Sequence, residues 1–141
     1  MTWGMESPSN FGDYFLDGDY VGFDDALISY YLNKMPDKDK AEMGVSDGFS
    51  HPTFYGKFIR ELGWLKPQEC PEEFAITHTR SKSFGSLIEL GSQLPAADED
   101  LKALIERLEP GIHQFWPIKI TMPKGETYPK QFYGMRIGKF F

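Results

Sequence analysis

The stretch 98–120 constrains the fold of this chain most, because it joins a helix pattern directly to a strand pattern. Four apolar side chains recur at the i, i+3, i+4, i+7 spacing of one helix face: Leu101, Leu104, Ile105 and Leu108. The Pro-Gly pair at 110–111 cannot continue that helix. β-branched and aromatic residues are then dense over 112–120, which predicts a strand. A helix with one buried stripe followed by a strand requires a fold that mixes both elements.

The ends of these two elements can also be predicted. Pro95 suits a first helical turn, and the acidic residues at 98–100 suit the positive end of the helix dipole, so the helix is expected over 95–109. Pro117 removes one donor from the strand that follows. We therefore expect an edge position or a bulge at Pro117.

The motif Leu-Glu-Pro-Gly-Ile-His-Gln-Phe-Trp-Pro at 108–117, followed by Gln-Phe-Tyr-Gly-Met-Arg-Ile at 131–137, resembles a known family. It is similar to the immunity-protein family called Imm11, of the MXAN-0049 type, which accompanies the secreted toxins of bacterial polymorphic toxin systems. In that family a leucine-rich acidic helix enters a Glu-Pro-Gly-(Val/Ile)-His-Gln-Phe-x-Pro strand, followed by a turn and a second aromatic strand. The match lies mainly in 95–137.

The resemblance implies an immunity protein that binds a cognate secreted toxin and neutralises it by steric and electrostatic occlusion. It implies no catalytic turnover and no cofactor. The chain departs from the family at the helix start, where Ala96 and Ala97 stand in place of a serine-like cap. It departs again at its end, where Phe140 and Phe141 follow the second strand with no further element. We expect either a fragment of a longer immunity-type protein or an aromatic end that a partner or a second copy covers.

Composition narrows the class of protein. With 141 residues, 40% of them apolar and 16% aromatic, the chain is expected to fold as a single domain over 1–141. A net charge of −6 argues against nucleic acid as the main partner. A single cysteine excludes an internal disulfide framework. We expect a cytoplasmic protein without a membrane span, because neither a long apolar run nor a signal sequence is present.

The acidic residues are concentrated near the N-terminus, whereas the last residues are basic. Five aspartates precede the first lysine and form the predicted partner-binding set: Asp13, Asp17, Asp19, Asp24 and Asp25. Such a face can steer a basic toxin, and Trp64 is the predicted aromatic anchor. A plain solvated face is the alternative. Ca²⁺ binding is disfavoured, because EF-hand spacing and its closing glutamate are absent.

The rest of the chain predicts short elements. Asp-Gly at 17–18 lies between two apolar runs and predicts a hairpin over 14–21. Residues 24–32 fit either an aspartate-capped short helix or another strand. A long loop is expected at 35–50, a helix at 53–62, and strands at 74–76 and 86–90. The predicted class is α+β, with a mostly antiparallel sheet of short strands packed by two or three helices.

No complete catalytic constellation is present. His51, His78 and His113 are scattered without metal-ligand spacing, and a structural role is favoured for His113. Residues 77–83 offer hydroxyls and cations for an anion but lack the glycines of a phosphate loop. Cys70 has no neighbouring cation to activate it.

Two alternative functions remain. One is a small ligand-binding domain or enzyme that uses 77–83 with His78 or His113. The other is a non-enzymatic assembly subunit that associates through the aromatic C-terminus.

Overall fold

The computed structural model describes residues 15–38, 58, 64–79 and 81–138. These residues form the α+β fold that the sequence predicts, with six strands and two α-helices. The elements in chain order are β1 (Asp17–Tyr20), α1 (Phe23–Asn33), β2 (Glu73–His78), β3 (Leu87–Leu90), β4 (Leu94–Asp98), α2 (Glu99–Leu108), β5 (Gln114–Thr121) and β6 (Phe132–Arg136). Short 3-10 turns at Pro67–Glu69 and Gly91–Gln93 precede β2 and β4.

The strands form one sheet in the order β1-β2-β5-β6-β4-β3. The β2 and β5 strands run parallel, and the other neighbouring pairs are antiparallel, so the sheet is mostly antiparallel as predicted. It curls until its two edges meet. The Leu16 N–H donates to the Glu89 carbonyl at 3.1 Å, and the Tyr20 hydroxyl donates to the Gly91 carbonyl at 2.5 Å. Both edge strands are therefore partly protected from pairing with another chain.

The core lies on the inner face of the curled sheet, because alternate side chains of each strand point to the same face. In β5 the buried residues are Trp116, Ile118 and Ile120, whereas Pro117 and Lys119 are exposed. The α1 helix adds three buried residues to this core: Phe23, Leu27 and Tyr31. The Tyr31 hydroxyl donates to the carboxylate of Glu69, which is fully buried. This hydrogen bond ties α1 to the turn that precedes β2.

The hairpin predicted around Asp-Gly at 17–18 is wrong. Both residues lie within β1, which pairs along its whole length with β2. β1 approaches β2 closely at Gly18, where the register of the two strands shifts. A Cβ at this position would lie 2.2 Å from the Ala75 carbonyl oxygen, so glycine is needed there. The glycine therefore serves an irregular strand pairing and not a tight turn.

The helical alternative is correct for residues 24–32, but the aspartate cap is not. Gly22, with a φ of 66°, is the N-cap of α1, and its cap makes no side-chain hydrogen bond. Asp24 and Asp25 lie in the first turn, where they interact favourably with the helix dipole.

The predicted start of the second helix is also wrong. Pro95 belongs to β4, and the helix begins after Asp98, whose side chain accepts a hydrogen bond from the Leu101 N–H at 2.9 Å. Ala96 and Ala97 therefore do not occupy the cap. Pro95 is tolerated in the strand because β6 pairs with β4 only from Ala96 onward. The predicted helix end at Glu109 is confirmed.

The apolar stripe of α2 is not buried as predicted. No residue of this helix is buried, and Leu104 and Leu108 are 41% and 44% exposed. The helix contacts the outer face of the sheet partly through Lys102, whose Nζ lies 5.5 Å from the Phe115 ring and 5.0 Å from the Tyr133 ring. These cation–π contacts hold a charged side chain against the sheet, where the apolar stripe of the helix was expected to pack.

The two C-terminal strands agree with the prediction. β5 and β6 pair in an unbroken antiparallel register, so no bulge occurs at Pro117. β5 lies between β2 and β6, so the expected edge position is not found either. Among the described residues, β2 pairs with β5 only from Lys119 onward, so Pro117 lies outside that ladder. β2 and β3 match the strands predicted at 74–76 and 86–90.

Several predictions concern residues outside the described ranges. They are Asp13, the start of the predicted hairpin, most of the loop at 35–50, the helix at 53–62 apart from Phe58, and Phe140 with Phe141. Among the described helices, none has the length and apolar character needed to cross a membrane.

The substitution Gly134→Ala should destabilise the sheet. A Cβ at this position would lie 2.5 Å from Cε2 of the buried Trp116 indole, a rigid ring that cannot move aside. We expect a loss of about 1–3 kcal/mol in the free energy of unfolding, measured by urea denaturation. Gly85→Ala is the matched control, because nothing lies within 4 Å of its added Cβ. Equal stability of the two variants would contradict this packing.

Asp98 should make stability depend on acidic pH. Burial raises the pKa of this carboxyl, but hydrogen bonds from Lys130, the Leu101 N–H and Ser86 outweigh burial and lower the pKa below 3.8. The Lys130 Nζ lies 2.7 Å from Asp98 Oδ2. The ionised form is thus favoured by folding, and its contribution is present above about pH 4 and lost as the pH falls through the lowered pKa.

Asp98→Asn keeps a capping oxygen and removes only the charge. The variant should be less stable than the wild type near neutral pH, and the difference should shrink as the pH falls below 3.8, the ordinary pKa of an aspartate. Urea denaturation over a pH series measures this. A difference that stays constant down to about pH 3 would show that the Asp98 charge is not linked to folding.

Candidate functional site

Four of the predicted partner-binding aspartates lie on one continuous segment of the structure. Asp17 and Asp19 are exposed on β1, and Asp24 and Asp25 are exposed in the first turn of α1. We call these four residues the acidic edge. No Lys or Arg occurs in the sequence from 15 to 33, so the segment itself carries no compensating positive charge. The fifth predicted residue, Asp13, lies outside the described residues.

Trp64 is 65% exposed, as an anchor for a partner would be. The next residue, Leu65, is fixed to the side chain of Gln114: its N–H donates to Gln114 Oε1 at 2.6 Å, and its carbonyl accepts from Gln114 Nε2 at 2.9 Å. These bonds place Trp64 near the start of β5. Trp64 therefore precedes the turn Pro67–Glu69, whereas the acidic edge lies on β1 and the first turn of α1.

A cleft of about 550 Å³ lies beside the first half of β5. Its lining residues come from the segment before β2, from β5 and from the start of β6: Pro67, Cys70, Glu72, Gln114, Trp116, Pro117, Lys119 and Gln131. The Trp116 Nε1–H donates to the Pro71 carbonyl at 2.9 Å and holds the wall before β2 against β5. Sequence reasoning missed this cleft, because its residues are distant in the chain and form no motif.

Cys70, in the wall of the cleft, is a neutral thiol. Burial, together with the negative charge of Glu69, raises the pKa of this thiol from 9.0 to about 12. The Sγ–H donates weakly to the Lys66 carbonyl at 3.4 Å. The thiolate needed for nucleophilic attack is therefore scarce at neutral pH, in agreement with the inert role predicted for this residue.

His113 has both ring nitrogens engaged. The Gly138 N–H donates to Nδ1 at 3.1 Å, so the proton of the neutral ring lies on Nε2, which donates to Glu109 Oε2 at 2.5 Å. These bonds link the end of α2 to the chain that follows β6. They fit the structural role predicted for His113.

The other candidate groups do not converge. His78 is exposed at the end of β2, and His51 lies outside the described residues. In the segment 77–83, the Thr77 hydroxyl donates to the Asp17 carbonyl at 3.2 Å, and the Thr79 hydroxyl accepts from the Ser81 N–H at 3.1 Å. Both hydroxyls thus bond to backbone groups, one on β1 and one within the segment itself. Within the described ranges, no group of His, Cys, Asp and Glu side chains could hold a metal ion.

Three large apolar residues, two in α2 and one between α2 and β5, are exposed. Leu104, Leu108 and Ile112 are 41%, 44% and 37% exposed. The helical pattern of α2 predicts a buried packing surface, so the exposure of these side chains was not predicted from the sequence. The signal was present in the strong one-sided pattern of the helix, but the pattern cannot tell whether another element covers that side.

Comparisons of the chain with protein-family models, with curated proteins and with solved structures find no match. The resemblance to the immunity family therefore stays a prediction, and the function must be argued from the surfaces described above.

Cys70 should react slowly with iodoacetamide in the folded protein. At about pH 8 a thiol with a pKa of about 12 holds far less thiolate than one at the ordinary value of 9.0, so we expect alkylation slower by roughly two to three orders of magnitude than in the urea-unfolded chain. Mass spectrometry of timed samples measures both rates. Comparable rates in the two states would show that Cys70 is an accessible, activated thiol.

Proposed function

We propose that this chain is a non-enzymatic immunity-type protein that binds a basic secreted toxin with its acidic edge and neutralises the toxin by occlusion. The single observation that carries the proposal is the acidic edge itself: four exposed carboxylates on β1 and the first turn of α1, with no Lys or Arg from 15 to 33. The resemblance of 95–137 to the Imm11-type family suggests the class of partner.

The charge of the acidic edge suits capture of a basic protein. Carboxylates of one sign on a continuous segment attract a cationic surface and raise the rate of association, and this attraction weakens with added salt. A toxin that binds phosphate groups carries Lys and Arg in its active site. Carboxylates that contact those basic residues would compete with the substrate of the toxin.

The acidic edge is also held in place by the fold. Asp19 pairs with Ala75 in the β1–β2 ladder, and the adjacent Tyr20 hydroxyl is hydrogen-bonded to Gly91 on the opposite edge of the sheet. Phe23 and Leu27 fix α1 to the core behind Asp24 and Asp25. A surface that is ordered before binding loses less conformational entropy on association.

The test requires a candidate toxin, which the proposal expects to be encoded beside the gene for this chain. In the edge variant the four aspartates are replaced together, as Asp17→Asn, Asp19→Asn, Asp24→Asn and Asp25→Asn. We expect the association rate with the toxin to fall roughly 10-fold or more at low salt, and co-expression to stop protecting cells. Stopped-flow or surface-based binding and a growth assay measure these effects.

The matched control removes four other exposed carboxylates, as Glu99→Gln, Asp100→Asn, Glu106→Gln and Glu126→Gln. Glu99 and Asp100 lie in the first turn of α2, so they match the helical positions of Asp24 and Asp25. Both variants have the same net charge, and only the edge variant should lose binding and protection. Undiminished binding by the edge variant would refute the acidic edge as the contact surface.

Trp64, which lies near the start of β5, is proposed as a second contact. An aromatic side chain that is exposed in the free protein becomes buried in a complex and slows its dissociation. The side chain carries no charge, so it does not contribute to electrostatic steering. In the same assay, Trp64→Ala should therefore raise the dissociation rate and leave the salt dependence unchanged. An unchanged dissociation rate would remove Trp64 from the interface.

A further inference from the structure

The chain that follows β6 is fastened to the start of β5 by one side chain. The β5–β6 ladder ends at the pair formed by Gln114 and Arg136. Two residues beyond β6, the Gly138 N–H donates to Nδ1 of His113 at 3.1 Å. The two chains lie close together here, because a Cβ at Gly138 would lie 1.8 Å from the Ile112 carbonyl oxygen. The His113 ring therefore holds the backbone at Gly138 directly.

The other nitrogen of the same ring is held by α2. Nε2 of His113 lies 2.5 Å from Oε2 of Glu109, and the His113 side chain is 9% exposed. A carboxylate only accepts and a backbone N–H only donates, so the proton lies on Nε2 and the lone pair on Nδ1. Turning the ring over would place a carbon atom at each partner and lose both bonds. The two partners thus fix both the orientation and the neutral state of the ring.

Only the neutral ring can keep both contacts. A protonated imidazole carries a proton on each nitrogen and has no acceptor. Its Nδ1–H would face the Gly138 N–H, so two donors would oppose each other, whereas the bond to Glu109 would become charge-assisted. Protonation of His113 therefore strengthens the contact with α2 and breaks the contact with the chain after β6.

The charges around the ring come from one residue. Among the described residues, Glu109 is the charged side chain that pairs with His113. Elsewhere on α2, Lys102 and Glu106 pair with each other at 3.0 Å. At the end of β6, the guanidinium of Arg136 donates to the Phe58 carbonyl at 3.1 Å. The charge state of the His113 ring alone therefore decides whether Gly138 has its acceptor.

We propose that His113 is a pH-dependent latch for the chain after β6: the neutral ring holds Gly138, and the protonated ring releases it. Histidine is the side chain whose charge ordinarily changes between about pH 5 and pH 8. The proton and the Gly138 N–H compete for the same lone pair, so each excludes the other. Release uncovers the Ile112 backbone and leaves the β5–β6 ladder in place, because that ladder does not involve the ring. This inference is independent of the acidic edge.

The test is an NMR titration of the ¹⁵N-labelled full-length protein from about pH 8 to about pH 5. The ring signal of His113 reports its protonation, and the Gly138 amide reports the bond. We expect the Gly138 amide shift to follow the ring curve, and its protection from hydrogen exchange to fall roughly 10-fold or more. The amide of Ile88, fully buried in β3, should show no such step.

Two results of this titration overturn the proposal. One is a Gly138 amide shift that stays constant while the His113 ring titrates. The other is a loss of protection at Ile88 in the same step, because the sheet would then open as a whole.

A matched pair of variants separates the two ring nitrogens. His113→Asn places an amide oxygen near the position of Nδ1, where it can accept from Gly138 at every pH. His113→Gln reaches the position of Nε2, where it can donate to Glu109 but leaves Gly138 without its acceptor. Neither side chain titrates. Gly138 should stay protected throughout the titration in the asparagine variant and unprotected throughout in the glutamine variant. A pH step that persists in either variant overturns the latch.

Two further variants test whether another titrating group causes the step. Glu109→Gln keeps an acceptor for the Nε2–H and removes the carboxylate, so the step at Gly138 should remain. His78→Asn is the matched control for removal of a histidine, because His78 is exposed at the end of β2. This variant should titrate like the wild type at Gly138. Loss of the step in either variant would assign it to that residue and overturn the role of His113.

Discussion

The short parallel pairing of β2 with β5 is the interaction on which the rest of the structure depends. It covers three residue pairs, from Glu73 with Lys119 to Ala75 with Thr121, and it joins β1 and β2 to the strands β6, β4 and β3. The Thr121 hydroxyl reinforces it by donating to Glu73 Oε1 at 2.7 Å. Among the described strands, only the contact between the two outer edges would otherwise continue the backbone pairing between the two halves of the sheet.

The position of this pairing decides which surfaces are available. On one side it holds β1 and α1, and with them the acidic edge, at the end of the sheet. On the other side, the cleft lies beside the part of β5 that precedes this pairing. Charge steers a partner at the acidic edge.

Much of the fold could be predicted from local patterns. The end of α2 at Glu109 and the strands β5 and β6 all followed from residues adjacent in the chain. The errors have a shared cause. Gly18 suggested a turn, whereas its real constraint is the carbonyl of Ala75, a residue distant in the chain. Pro95 suggested a helix start, whereas its strand role depends on where β6 begins to pair. The four aspartates of the acidic edge and Trp64 are all exposed in the structure.

The sequence by itself determined the element types and the charge distribution, because helix periodicity, strand alternation and the run of aspartates are properties of neighbouring residues. The stretch 98–120 is the clearest case: its helix, break and strand are all present in the structure. Only the tertiary structure decided that Leu104 and Leu108 of that helix are exposed, that Lys102 lies on two aromatic rings, and that β2 pairs with β5 from Lys119 to Thr121. These features depend on which distant segment covers a face or pairs with an edge. A local pattern specifies that a face is apolar or that a strand edge has hydrogen-bond donors. Only long-range packing specifies which segment covers that face or pairs with that edge.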